Sequence, residues 1–478
     1  MKIRCIENKL ERLNSNILAV SLFKEEKINT DIEEIEIIAN DFDAEYGKFE
    51  LSKVLINDNL IDIFLVGMGR REDLNNEKLR VLGGNLSRKA KNIAKDKGKN
   101  LDIINLNLTQ ENIGAFAEGI LLGDYKFDKY KSEKCNGIIE NVNLYSDIDA
   151  TEQLKRAEIM AKSTIIARDL VNEPSNVIYP ETLANEAIRL GEEYGFEVEV
   201  YEQGKIEALG MEAYLSVARG SSNKPRFIVM RYFADKENEE ILGLVGKGIT
   251  YDTGGYCIKS RSSMFDMKTD MAGGASVIGA MCAIANQKLN KNVVGVIAAC
   301  ENSISGEAYK PGDIINSMAK KTIEVGNTDA EGRLTLADAV YYIINNEKAN
   351  KVVDVATLTG AAIVALGTIA SAVVTNNEEF YKEVEVAAQK SGEKIWKMPV
   401  FDEYKKMIKG HETDLKNAPG QEGGCITAGL FVGEFVGDTP WVHIDIAGPS
   451  VVEKTEGYKY KGATGEAVRT LYYLAEGK

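Results

Sequence analysis

Within Asn327-Thr328-Asp329-Ala330-Glu331-Gly332-Arg333-Leu334, two carboxylates and an arginine fall within five positions, beside a glycine and in an otherwise apolar neighbourhood. Burying such a cluster is costly unless a cation goes with it. Upstream, Lys247, Asp252, Lys259 and Asp270 are spread over a glycine-rich run that begins where an apolar strand, Ile241 to Val245, ends. The chain holds only two histidines, His411 and His443. A metal site made here is therefore lined mostly by oxygen rather than by the imidazole common at catalytic zinc. The combination points to a hydrolase built around a pair of metals.

Two divalent cations about 3.5 to 4 Å apart need bridging carboxylates to offset their repulsion and hold a shared water. Asp252, Asp270, Asp329 and Glu331 are the candidates. Asp329 and Glu331 are two positions apart, so an extended or turning backbone projects both toward one cavity. Gly332, like Gly254 and Gly255 after Asp252, lets the chain turn close to the metals. Lys247 is expected at the end of its strand and ligates a cation only as the neutral amine. As an ordinary structural lysine it pairs instead with one of the aspartates.

Elements able to hold these residues are legible on either side. A chain of 478 residues exceeds one ordinary core and suits two unequal domains. Over residues 1–150, Ile61 to Gly69 has the pattern of a buried strand and Asn76 to Ala94 that of a basic helix, with no catalytic cluster. A charged helix, Ala150 to Asp169, then leads into a turn-rich segment, Leu170 to Asn176, and the second domain is expected to span 151–478. There, strand candidates Phe227 to Tyr232, Ile241 to Val245, Val293 to Ala299, Val352 to Val355 and Trp441 to Ile446 alternate with helix candidates Pro180 to Tyr194, Ala275 to Asn286 and Leu334 to Asn346. Near-continuous apolar strands between helices imply an α/β domain whose mostly parallel central sheet is flanked by helices. Its strand C-terminal ends carry the site.

Composition excludes several classes. A formal charge of -15 disfavours general affinity for nucleic acid or anionic membranes. The basic run Arg80, Arg88, Lys89, Lys91, Lys95, Lys97 and Lys99 is interrupted by Glu77 and Asp96 and fits a solvated helix face better than a DNA-contacting one. Gly246-Lys247 is not a phosphate loop, because Gly248 stands where Ser or Thr is required. Six cysteines (Cys5, Cys135, Cys257, Cys282, Cys300 and Cys425) without C-x-x-C spacing suit reduced thiols in a cytosol. Charge enters the N-terminal residues before any signal-peptide core can form, and no stretch reaches about 18 apolar residues, so a cytoplasmic location is expected. His443 alternates with Trp441 and Asp445 on one side of a strand, as a structural histidine does. Cys257 and Met264 are expected to pack.

Val245-Gly246-Lys247-Gly248-Ile249-Thr250-Tyr251-Asp252-Thr253-Gly254-Gly255, Met267-Lys268-Thr269-Asp270-Met271 and Asn327 to Leu334 together resemble the cytosolic leucyl aminopeptidase family. The likeness extends to Glu301-Asn302 with Ser305-Gly306, to Tyr309-Lys310-Pro311-Gly312-Asp313, to Ala356-Thr357-Leu358-Thr359-Gly360-Ala361 and to Trp441 through Gly448. It covers most of residues 165 to 475. The resemblance implies that Lys247, Asp252, Asp270 and Glu331 bind a tighter metal. Asp252, Asp329 and Glu331 bind a more exchangeable one, with manganese or zinc as the ions. It further implies that hydroxide generated at the metal pair attacks the first peptide bond. Lys259 then stabilises the oxyanion, and Arg333 holds a bicarbonate general base. Met267, Thr357, Leu358, Gly360 and Ala447 match substrate-binding positions. Peptides with a free N-terminus, leucine-type preference and a homohexamer, with the N-terminal domain serving assembly, are implied likewise.

Two departures stand out. Ser260 replaces the family's usual proline after the catalytic lysine, and Ser450 replaces a methionine three residues beyond the alanine matching Ala447. The second changes the pocket for the first residue. The competing expectations are a cysteinyl-glycine or other dipeptide-restricted peptidase, and a DNA-binding accessory protein that retains the site.

Overall fold

Apolar runs between turns become two separate sheets in the computed structural model, which describes residues 1–6, 15–26, 28, 30, 32–56, 58–97, 100–104, 108–133 and 137–477. Lys99 and Cys135 lie outside the described residues, as do the side chains of Lys95, Asp96 and Lys97. The chain forms two compact units, Met1–Lys162 with Lys454–Tyr460, and Ser163–Glu453 with Lys461–Lys478.

In the first unit, β1 (Lys2–Ile6), β2 (Ile17–Phe23), β3 (Phe49–Ile56), β4 (Asn59–Gly69), β5 (Asn100–Ile104) and β6 (Asn141–Tyr145) make a sheet in the order β1-β6-β5-β2-β4-β3. Every pair is parallel except β3 with β4. One face packs on α2 (Asn76–Lys97) and α3 (Gln110–Gly123), the other near α1 (Glu33–Asn40). Tight helix contact explains the glycines of α2 and α3: a Cβ on Gly119 would lie 2.2 Å from the Arg80 carbonyl. Arg80 corrects the expected solvated face. It is 1% exposed, and its guanidinium lies 3.2 Å from Glu118 and 3.3 Å from Glu77. Arg88 donates to the Gly457 carbonyl, and Lys91 lies 2.8 Å from Asp124.

The boundary between Lys162 and Ser163 falls within α4 (Thr151–Asn172), and the second unit goes on to α5 (Pro180–Tyr194). It runs on through β7 (Glu197–Tyr201), α6 (Gln203–Ala208), α7 (Glu212–Ala218), β8 (Arg226–Phe233), β9 (Ile241–Asp252), α8 (Arg261–Met264), α9 (Ala272–Asn286) and β10 (Asn292–Asn302). Then come the short strands β11 (Ile314–Ile315) and β12 (Ile323–Glu324), α10 (Gly332–Asn345), β13 (Lys351–Ala356), α11 (Gly360–Leu366), β14 (Ser371–Thr375), α12 (Glu378–Ser391) and β15 (Ile395–Lys397). The chain closes with α13 (Asp402–Met407), β16 (Leu415–Lys416), α14 (Gly424–Gly433), β17 (Trp441–Asp445), β18 (Val451–Val452), β19 (Gly462–Ala463) and α15 (Val468–Glu476).

The main sheet has the order β15-β14-β17-β13-β9-β10-β8-β7. Its centre, β17-β13-β9-β10, is parallel, while β14 on one side and β8 and β7 on the other join antiparallel. All eleven residues of β10 and all five of β17 are buried, as sheet strands covered on both faces require. The two-domain α/β architecture expected above is what the chain adopts.

Strand β9 runs past the expected end at Val245 to Asp252, so Lys247 lies inside the strand. Gly246 and Gly273 are packing glycines. A Cβ on Gly246 would lie 2.5 Å from Gly274 Cα, and one on Gly273 would lie 2.0 Å from the Val355 carbonyl. Helix α9 thus seats its backbone on β9 and β13 with no side chain between.

Candidate active site

In a regular strand Lys247 and Asp252 would face opposite sides of the sheet, because five positions is an odd number of alternations. Strand β10 pairs Cys300 with Ile249 but Glu301 with Tyr251, which leaves Thr250 unpaired in that ladder. The bulge inverts the alternation, and both side chains reach one cluster.

One half of the cluster centres on Lys247. Its Nζ lies 2.7 Å from each oxygen of Asp270 and 2.9 Å from Glu331 Oε1, and donates to the Thr357 carbonyl at 3.0 Å. Thr357 Oγ1 also donates to Asp270 Oδ1. Asp270 closes a 3₁₀ turn before α9, Glu331 is the N-cap residue of α10, and Thr357 follows β13. Thr357 thus leaves the C-terminal end of the parallel strand β13, while Asp270 and Glu331 stand where α9 and α10 begin.

The other half centres on Lys259, whose Nζ lies 2.8 Å from Asp252 Oδ2 and 2.5 Å from Asp329 Oδ1. Asp252 Oδ1 accepts from Gly254 N and Asn302 Nδ2, each at 2.8 Å. Gly254 and Gly255 have φ of 82° and 63°, conformations that exclude most other residues. They let the loop from β9 fold back so that Lys259 meets Asp252. Thr328 Oγ1 pins that loop, donating to the Gly254 carbonyl and accepting from Cys257 N. Asp252, Asp329 and Glu331 each offer an oxygen within 4.8 Å of the others.

The four carboxylates, all buried but the partly exposed Asp329, outnumber the two ammonium groups two to one, and the electrostatics follow. Burial and the nearby Glu331 push the Asp252 carboxyl up to about 6. Burial raises Asp270 well above the usual carboxylate range against the pull of Lys247. Burial also raises Asp329, opposed by Lys259. Burial disfavours charge on Lys247, but Asp270, Glu331 and Asp252 outweigh it and hold the amine above its ordinary pKa. Glu331 shows the converse, its burial overcome by Lys247 and Lys259 so that it falls below the ordinary value. Burial takes the Arg333 guanidinium down to about 10, offset in part by Glu331 and Asp445.

This donor set fits divalent cations. Glu331 Oε2 is buried and has no hydrogen-bond partner among the described residues, an arrangement that costs free energy unless a cation meets it. Carboxylate oxygens with one amine nitrogen suit manganese, magnesium or zinc.

Other residues named from sequence fall around this centre. Asp329, Arg333, Leu358 and Gly360 line a cavity of about 710 Å³, joined by Asn327 and Cys425. Arg333 Nη1 donates to the Asn417 carbonyl at 2.5 Å. Met267 opens the 3₁₀ turn that ends in Asp270, and the backbone N–H of Ala447 donates to Asp445 Oδ1. Neither Met267, Thr357 nor Ala447 lines that cavity. Sequence reasoning assigned no role to Asp445 or Asn302. Asp445 accepts from Leu358 N, Thr359 N and Thr359 Oγ1 and so fixes the turn after β13. The expected structural histidine, His443, places Nδ1 2.6 Å from Asp354 Oδ1, while Trp441 Nε1 donates to Asp354 Oδ2. Among the described residues no helix is long and apolar enough to cross a membrane.

Residues 165–472 match the cytosol aminopeptidase family, catalytic domain, and residues 24–134 match the N-terminal domain of that family. A protein of Clostridium perfringens (strain 13 / Type A) described as probable cytosol aminopeptidase is 49% identical over 467 residues, covering 94% of each chain. One of Alkaliphilus oremlandii (strain OhILAs) with the same description is 40% identical, covering 100% of this chain and 99% of its own. Among solved structures, the bottromycin maturation enzyme BotP in complex with Mn superposes with a TM-score of 0.87 at 28% identity, over 97% of this chain and 99% of that one.

Proposed function

The chain belongs to the cytosol aminopeptidase family and is a metal-dependent aminopeptidase, and we propose that it uses two divalent cations to release N-terminal residues, leucine-type ones by preference. The observation that carries this reading is the convergence of Asp252, Asp270, Asp329 and Glu331 on two lysines, with Glu331 Oε2 left without a hydrogen bond among the described residues. Lys247, Asp252, Asp270 and Glu331 would hold the tighter ion, and Asp252, Asp329 and Glu331 the exchangeable one. Manganese is the first choice because the similar BotP structure is described as a complex with Mn; zinc is the second. When bound, the ions polarise the scissile carbonyl and make hydroxide available near neutral pH.

The protein's own groups do the rest. Lys259, anchored by Asp252 and Asp329, supplies positive charge where the carbonyl oxygen becomes negative. Arg333 offers a bicarbonate ion the unengaged part of its guanidinium, and that ion when bound supplies a base. The segment Thr357, Leu358 and Gly360, braced by Asp445, presents backbone groups to the substrate, with Met267 and Ala447 shaping the pocket for its first side chain. The cavity of about 710 Å³ has room for residues beyond the scissile bond, which favours a general aminopeptidase over a dipeptide-restricted one. The buried Arg80 and the internally bonded Arg88 and Lys91 weaken the nucleic-acid reading. We place the enzyme in the cytoplasm as a homohexamer.

Hydrolysis of leucine p-nitroanilide after chelation, with and without added manganese or zinc, tests this reading beside an N-acetylated control. Metal-restored cleavage of the free-amine substrate alone is expected. No cleavage with any metal across several first residues would overturn it.

A further inference from the structure

We propose that Asn417 is the positioning residue of the metal centre, a clamp whose carboxamide sets the loop carrying Asp329 and Glu331 and whose carbonyl sets Arg333. This rests on the ligand assignment proposed above for Asp252, Asp329 and Glu331. Asn417 is 0% exposed and follows β16, which brings it beside the loop after β12 by parallel pairing.

Every polar group of Asn417 is engaged. Its Nδ2 donates to the Asn327 carbonyl at 2.7 Å and the Ala330 carbonyl at 3.3 Å, one on each side of Asp329. Its Oδ1 accepts from Gly326 N at 2.8 Å and Asn327 N at 3.3 Å. Its backbone N–H donates to the Glu324 carbonyl, and its carbonyl takes the 2.5 Å bond from Arg333 Nη1. Only a carboxamide offers two donors and a two-pair acceptor in this space. Among the described residues the side chain makes no hydrogen bond to the side chain of Asp329 or Glu331; it closes the peptide frame from which both project. The same residue also meets Arg333, so the ligand loop and the guanidinium share one support, and a shift in either alters the spacing between them.

Asn292 supplies a control with nearly the same bonding. Its Nδ2 donates to the Asp235 and Asn238 carbonyls, and its Oδ1 accepts from Asp235 N. It sits at the first residue of β10, whereas the site lies at the strand's last, Asn302. A loss that merely reflects a buried carboxamide will therefore appear in both.

The experiment compares full-length wild type with Asn417→Asp, Asn417→Ser and Asn292→Asp. The readouts are manganese binding by electron paramagnetic resonance titration, kcat and KM at saturating manganese, and melting of the metal-free protein. Asn417→Asp keeps the acceptor but sets an oxygen against the Asn327 and Ala330 carbonyls. Its weaker manganese site should lose affinity about 10- to 100-fold, with a similar fall in kcat, the range seen when support of a metal ligand is removed. KM should stay within about twofold. Asn417→Ser, which keeps one hydroxyl, should fall between. Asn292→Asp should melt earlier with metal affinity and kcat unchanged. Wild-type metal affinity in both Asn417 variants, equal metal loss in Asn292→Asp, or failure of both Asn417 variants to fold overturns the proposal. A wild type that binds manganese normally while both Asn417 variants do too defeats this inference alone; a wild type that binds none defeats the two-metal reading beneath it as well.

Discussion

Gly332 and Lys247 are in such close contact that a Cβ on the glycine would lie 2.4 Å from Lys247 Cε and 2.8 Å from its Nζ. Gly332 is the first residue of α10 and has no left-handed backbone. Its role is to leave room for the lysine, not to turn the chain as its position between Glu331 and Arg333 had led us to expect. Gly332→Ala must displace either Lys247 or the helix that carries Glu331. Manganese or zinc content measured by atomic absorption should fall below one ion per chain, with kcat down at least about 100-fold. Retention of both ions with near-normal kcat would show that the contact can relax.

The proposed assignment divides residues that hold metal from residues that meet substrate. Lys259→Ala and Arg333→Ala should lower kcat about 100- to 1,000-fold, the scale on which a charged transition-state donor is missed, while metal content stays near wild type. Glu331→Ala should lose metal as well, because it removes the carboxylate that faces both lysine-centred groups. Equal metal loss in all three variants would defeat the division.

A lysine nitrogen ligates only after giving up its proton. Lys247 carries that proton here, held by Asp270 and Glu331. Calorimetry in buffers of different ionisation heat should show at least about one proton released per tight metal bound, Asp270 adding to the release because burial holds its carboxyl well above the usual range, with affinity rising by about tenfold or more per pH unit between about pH 7 and 9. The carboxylate Asp252, at about 6, is mostly ionised across that window. Binding without proton release would mean that Lys247 stays an ammonium beside the metal.

Asp338 gives the pH dependence of folding a sign. Burial pushes its carboxyl up to about 7 from 3.8 against the N–H groups of Met318, Tyr214 and Ala213. Between those values the folded protein keeps a proton that the unfolded chain has released, so stability falls as pH rises through the window. Urea denaturation from pH 4 to 8 should show Asp338→Asn losing less stability with pH than wild type, by up to about 1.4 kcal/mol per unit. Parallel slopes would place the titration elsewhere.

The clustering of the candidate site was legible because chemistry left a local trace: Asp329, Glu331 and Arg333 are too densely charged for the apolar sequence around them, and Lys247 to Asp270 bring carboxylates and lysines into a glycine-rich run. The central strands were legible for a similar reason, being continuously apolar. What stayed hidden depends on distant pairing. Asn417 becomes a clamp only when β16 pairs with β12, and nothing beside it in sequence announces that. The antiparallel strands β7, at the sheet edge, and β14, one strand in from β15, are only five residues each. Arg80 looked solvated because its partner Glu118 sits on another helix. Gly246 and Gly248 looked like a strand end because a glycine needed for close packing and one needed for a turn are the same letter.

Thr250, unpaired in the ladder between β9 and β10, makes the candidate metal centre a matter of parity. Most features of a protein can drift by degrees, through a slightly smaller side chain or a slightly longer bond. Whether Lys247 and Asp252 share a side of the sheet admits only two answers, and a single residue inserted or removed between them exchanges one for the other. Substitution can tune this enzyme gradually, but a one-codon change in the stretch between those two residues has no intermediate. That stretch should hold its length wherever the activity is kept, even as its letters change.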